Sequence, residues 1–178
     1  MKLRNVALTL ITLLPLMGWS NIIITEANGS FAGSGHARSH DFPVEARIFT
    51  VNVSDADTSG NRNIHVEVSV NDLHTGNAMR DTHMRMSILD RKKHPLIIFQ
   101  SELQLPEFKA GNFILQGDLQ VNGITKPYTL KLKFKQSSDK WNATGTFLII
   151  PTDFDLPLVG MGPMKLLDKV DLNLDVLF

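Results

Sequence analysis

Between residues 64 and 178 apolar and polar residues alternate in runs of about eight, separated by turn-forming residues, the signature of half-buried antiparallel strands. The clearest run places Ile64, Val66, Val68 and Val70 on one side and His65, Glu67, Ser69 and Asn71 on the other. Ile97, Phe99, Ser101, Leu103 and Leu105 share a face in the next, and Phe113, Leu115, Gly117, Leu119 and Val121 in the one after. Asn122-Gly123 then predicts a tight hairpin, because both residues tolerate positive φ. In the returning strand, opened by Pro127, Tyr128, Leu130, Leu132 and Phe134 point one way. Thr129, Lys131, Lys133 and Lys135 point the other way, and the lysines discourage edge-to-edge association. Trp141, Ala143, Gly145, Phe147 and Ile149 mark a further strand, and Val170, Leu172, Leu174, Val176 and Phe178 the last.

Upstream the signal is weaker. Residues 46–53 alternate, with Phe49, Val51 and Val53 on one face and Arg47 among them, and the polar stretch 54–63 reads as a turn containing Gly60. Residues 30–40 are rich in glycine and serine without a clear period, either a bent first strand or a loop. One interruption breaks the strand pattern. From 75 to 94, Met79, Met84, Met86, Ile88 and Leu89 partly fit a helical stripe that Pro95 ends, predicting one or two short helices at about 76–93. Their methionines are adaptable apolar surface, suited to plugging a core or to forming a yielding lid.

A length of 178 residues suits one domain, and 43% apolar with 20% charged residues is ordinary globular composition. Eighteen basic residues balance eighteen acidic ones, so no basic excess exists to neutralise phosphates, and nucleic acid is not an expected partner. Lys2 and Arg4 precede an uncharged apolar run, with Gly18 and Ser20 after it, which reads as an export signal over residues 1–20. A second boundary lies after Ala27, and without cleavage residues 6–24 are long enough to anchor the chain in a bilayer. Cysteine is absent, so the domain holds itself together by packing.

Candidate chemistry is sparse. The six histidines, His36, His40, His65, His74, His83 and His94, lack paired metal-ligand spacing, and no metal is expected. Gly33-Ser34-Gly35-His36 does not complete a nucleophile elbow. Arg80 and Asp81 stand beside apolar residues, where they either serve structure as an ion pair or meet a polar head group.

Several motifs now combine: Thr75-Gly-Asn77, Arg80-Asp-Thr-His83, Pro95-Leu-Ile-Ile-Phe-Gln-Ser101, Gly117-Asp-Leu-Gln-Val-Asn-Gly-Ile-Thr-Lys-Pro127 and Asp168-Lys-Val-Asp-Leu172. Together they resemble the YceI-like family over about residues 64–176. The chain departs from the family in carrying Ile88 and Leu89 where an aromatic pair is usual, and Asp153-Phe-Asp155 in place of D-F-G.

The resemblance implies an all-β, eight-stranded antiparallel lipocalin-like barrel over residues 30–178 with short flanking helices. It also implies a periplasmic, non-enzymatic binder of a polyisoprenoid, an isoprenoid quinone or a similar lipid, without another cofactor. Eight strands close around a space for one slim ligand. Val66, Val68, Phe99, Phe113, Leu115, Tyr128, Leu130, Leu132, Trp141 and Phe147 are the lumen candidates, and Arg80, His83 and Met84 the candidates for the mouth. Two other readings share this pattern: a filled-core barrel working through its surface, and an enzyme acting on such a lipid with Asp81, His83 or His94 as acid or base.

Overall fold

The computed structural model describes residues 19–24, 28–105, 107 and 109–178. Residues 1–18 of the expected export signal therefore lie outside the described residues. All described strands belong to one antiparallel sheet. They are β1 (Trp19–Ile24), β2 (Gly29–Ala37), β3 (Asp41–Ala46), β4 (Phe49–Ser54), β5 (Asn61–Ser69), β6 (Leu73–His74), β7 (Leu96–Gln104), β8 (Gly111–Val121), β9 (Ile124–Ser137), β10 (Lys140–Ile149) and β11 (Leu166–Leu177).

Eleven segments replace the expected eight strands, in the order β1-β4-β5-β7-β8-β9-β10-β11-β2-β3-β6. The difference comes from bending. β1 and β2 pair in succession with β4 and β3, and β5 and β6 pair in succession with the same two segments, so six segments act as three staves. With β7 to β11 these make eight, and the β3–β6 ladder brings the far end of the sheet back to the chain just after β5. The sheet thus curls into a barrel, which leaves few unpaired edges.

The corner between β3 and β4 corrects the single strand expected over 46–53. Ala46 and Phe49 are both buried although three residues apart, so the chain changes face at Arg47–Ile48, where the Arg47 amide donates to the Asp72 carbonyl. Arg47 lies outside the alternating set, beside Glu45 at 3.2 Å. Segment 30–40 resolves into strand β2. Gly33 is required there because a Cβ would lie 1.8 Å from the Asp171 carbonyl oxygen on β11. The β8–β9 turn has Asn122 at φ 51° and Gly123 at φ 77°, as its sequence predicts.

The expected helical interruption is helix α1 (Ala78–His83), which runs into a wider π turn, Met84–Ile88. Asn77 caps it, its side-chain oxygen accepting from the amides of Met79 and Arg80, both at 3.0 Å. A helix this short depends on such caps because its unpaired amides are a large share of its backbone. Asn77→Ala is expected to lower stability by about 1 kcal/mol, read as a lower urea midpoint at unchanged slope.

Candidate ligand cavity

The barrel is solid at one end and hollow at the other. The solid end comprises Leu103, Leu105, Leu115, Leu132, Phe134, Ala143 and Val176, all buried. Phe134 packs against Phe113 at 4.9 Å between ring centroids and against Phe178 at 6.4 Å. The hollow end holds a cavity of about 670 Å³. Inward residues of β5 (Val66, Val68), β7 (Ile97, Phe99), β8 (Leu119, Val121), β9 (Tyr128, Leu130), β10 (Phe147, Ile149) and β11 (Leu172, Leu174) line it. Its mouth lies between Met79, Arg80, His83, Met84 and Ile88 on one side and residues 156–167 on the other. This volume falls within the range of small-molecule sites, and the walls are almost wholly apolar.

Several of the polar groups near this space are engaged with the protein itself. Tyr128 donates its hydroxyl to the Leu148 carbonyl, and burial, assisted by nearby Asp153, pushes the phenol pKa up, so it stays neutral. His36 on β2 faces Asp41 at 2.6 Å and Asp171 at 2.8 Å, clasping β2 to both neighbouring strands. Beneath the mouth, Asp81 accepts from the Thr75 amide at 2.7 Å and hydroxyl at 2.6 Å, with Arg85 at 3.7 Å and His74 at 3.6 Å. Thr75 Oγ1 in turn accepts from Arg80 Nε at 2.8 Å. Asp81 therefore turns towards Thr75 and Arg85 and makes no ion pair with Arg80. Among the described residues no group of three or more His, Asp or Glu side chains is placed to hold a metal ion.

A family model described as the YceI-like domain matches residues 22–178. The chain belongs to the YceI-like family. Among curated relatives, a UPF0312 protein of Pseudomonas aeruginosa is 35% identical over 122 residues, 64% of this chain and 60% of that one. A UPF0312 protein of Vibrio parahaemolyticus is 30% identical over 104 residues, 54% of each chain. The matched span is thus between half and two thirds of these relatives' length. Among solved structures, a polyisoprenoid binding domain from Saccharophagus degradans superposes with a TM-score of 0.71 at 12% identity, over 90% of this chain and 97% of that one. BcnA of Burkholderia cenocepacia gives 0.67 at 14% identity, over 84% and 96%. At these identities the likeness is one of fold.

In this YceI-like barrel, six of the ten lumen candidates surround the cavity: Val66, Val68, Phe99, Tyr128, Leu130 and Phe147. The other four do not. Leu115 and Leu132 are buried in the solid end, and Phe113 and Trp141 pack against it. They lie on the same inward faces, further along their strands, so alternation selected them without regard to depth. Arg80, His83 and Met84 all border the mouth. Sequence reasoning missed Phe42 and Val44, although their alternation within β3 was readable, and it missed Leu156, Leu158 and Val159, which lie in a loop without a period.

Proposed function

We propose that the chain is an exported, periplasmic carrier or store for a long-chain amphiphile such as a polyisoprenoid or an isoprenoid quinone. The observation that carries this reading is the apolar cavity of about 670 Å³ in one half of the barrel. The fold shared with a protein described as a polyisoprenoid binding domain supports it. Each buried methylene contributes about 0.8 kcal/mol, so a five-carbon isoprene unit gains roughly 4 kcal/mol gross. Association costs about 4–15 kcal/mol, so several units are needed for useful affinity. The hydrocarbon enters past Met79 and Met164, and the head group stays at the mouth by Arg80, His83 and Met84. No chemical step is assigned to the protein.

Export rests on the pattern of residues 1–20. Cleavage near residue 20 suits the fold better than cleavage after Ala27, which would remove β1 and leave the β4 edge it pairs with exposed. Organic extraction of protein purified from its native compartment, followed by mass spectrometry, is expected to yield an isoprenoid or other long-chain lipid at near-equimolar amount. A lipid-free extract from protein that also takes up no prenyl lipid after delipidation would overturn the reading.

A further inference from the structure

We propose that the mouth selects amphiphiles with an anionic head, a phosphate or carboxylate, and that Arg80 is its receptor. This rests on the carrier reading above and specifies its ligand class.

Among the described residues no aspartate or glutamate lines the cavity, whereas Arg80 and Lys169 do. The chain as a whole carries eighteen acidic and eighteen basic residues, so composition does not impose this asymmetry. Arg80 is half-buried, with its guanidinium carbon 4.3 Å from the centre of the Phe42 ring. A guanidinium has five N–H donors. Nε donates to Thr75 Oγ1 and one Nη2 hydrogen to the Thr75 carbonyl, which leaves three without an acceptor among the described residues. No carboxylate lies within 4 Å of it there, in contrast to Arg85, which has Asp81 at 3.7 Å. Thr75 and Phe42 hold the plane of the fork while its remaining donors are unspent. Such a fork matches two oxygens of a phosphate or carboxylate, and the surrounding apolar wall strengthens the pairing. Lys169 also borders the cavity, but Asp171 at 3.8 Å offsets its charge, so Arg80 is the cation that faces the head group.

Paired ligands that share one tail test this. Delipidated protein is titrated by calorimetry, in one dilute non-ionic detergent, with geranylgeranyl phosphate and with geranylgeraniol. The wild type is expected to prefer the phosphate by about tenfold, the size of one charge-assisted contact. Arg80→Met is expected to bring the two ligands within about twofold, Arg80→Lys to recover part of the preference, and millimolar inorganic phosphate to displace neither. If Arg80→Met does not fold, Arg80→Gln, whose amide can still donate towards Thr75, is expected to bring the two ligands equally close. Equal binding of the two lipids by the wild type, or an unchanged ratio in whichever neutral Arg80 variant folds, overturns the proposal while leaving the carrier reading intact. Displacement by inorganic phosphate would make the mouth a free-anion site and equally overturn it. Binding of neither lipid defeats the carrier reading itself.

Discussion

Val66→Trp is expected to weaken binding of a long prenyl chain by about a thousandfold while the protein stays folded. Val66 sits midway along β5, between Val51 on β4 and Phe99 on β7, and borders the cavity. It is only half-buried although it faces inward, because it looks into empty space. An indole at this position grows into the void instead of into packed neighbours, so the usual overpacking cost of about 1–3 kcal/mol is largely avoided. What it displaces is ligand. Excluding one isoprene unit forfeits roughly 4 kcal/mol, which is about three orders of magnitude in affinity. Leu115→Met, in the solid end, changes shape but hardly volume, so it is expected to leave affinity unchanged and cost under about 1.5 kcal/mol. Titration of delipidated variants with a fluorescent prenyl probe, with melting curves alongside, measures both. A folded Val66→Trp protein that binds as tightly as the wild type would mean that the cavity is not where the lipid lies.

The two substitutions differ in a way the alternating pattern cannot express. Val66 and Leu115 both sit on inward faces, and periodicity reports the face but not the distance along the barrel axis. Depth is decided by which side chains meet across the middle. At one end Phe113, Phe134 and Phe178 converge and fill the space, whereas at the other the inward face of β2, beyond Phe31, offers Gly33, Gly35 and Ala37 and fills little. Those small residues also explain why β2 was hard to read. Its alternation is real, but the inward positions after Phe31 carry almost no side chain, so no apolar period appears. The last strands were legible for the opposite reason: β9 from Leu130 to Lys135 alternates large apolar residues with lysine, and β11 from Val170 to Val176 alternates them with aspartate or asparagine.

Two further positions show where local chemistry carries what periodicity does not. Asp155 occupies the last position of the sequence that departs from the family's D-F-G, and it adopts φ 53°, a conformation glycine takes freely and aspartate tolerates. The departure therefore keeps the turn, and Phe154 beside it is almost completely buried. Arg80 and Asp81, adjacent in sequence, look like one ion pair. Their separation into an open cation and a buried anion depends on Thr75, whose hydroxyl accepts from one and donates to the other. No spacing rule encodes that relay.

Asp81→Ala is expected to destabilise the protein by about 3–5 kcal/mol, a large share of a typical domain's roughly 5–15 kcal/mol. The residue is 8% exposed, and its removal strands the Thr75 amide and leaves Arg85 without its carboxylate. Burial raises the Asp81 pKa, but the hydroxyl and amide of Thr75, with Arg85 and His74, outweigh it and hold the carboxyl below its usual range. The sign of the pH dependence follows. A carboxyl with a depressed folded-state pKa contributes its full stabilisation above the unfolded value of about 3.9 and loses it as pH falls towards the folded value. Asp81→Asn keeps an acceptor for Thr75 but carries no charge, so its deficit against the wild type should be largest near neutral pH and shrink below about pH 4. Urea midpoints between pH 7 and pH 3 measure this, and a deficit independent of pH would show that the charge on Asp81 is not what stabilises the site. Loss of Asp81 also frees the Thr75 hydroxyl that orients Arg80. The same substitution should therefore loosen the mouth, lowering lipid affinity even where the barrel remains folded.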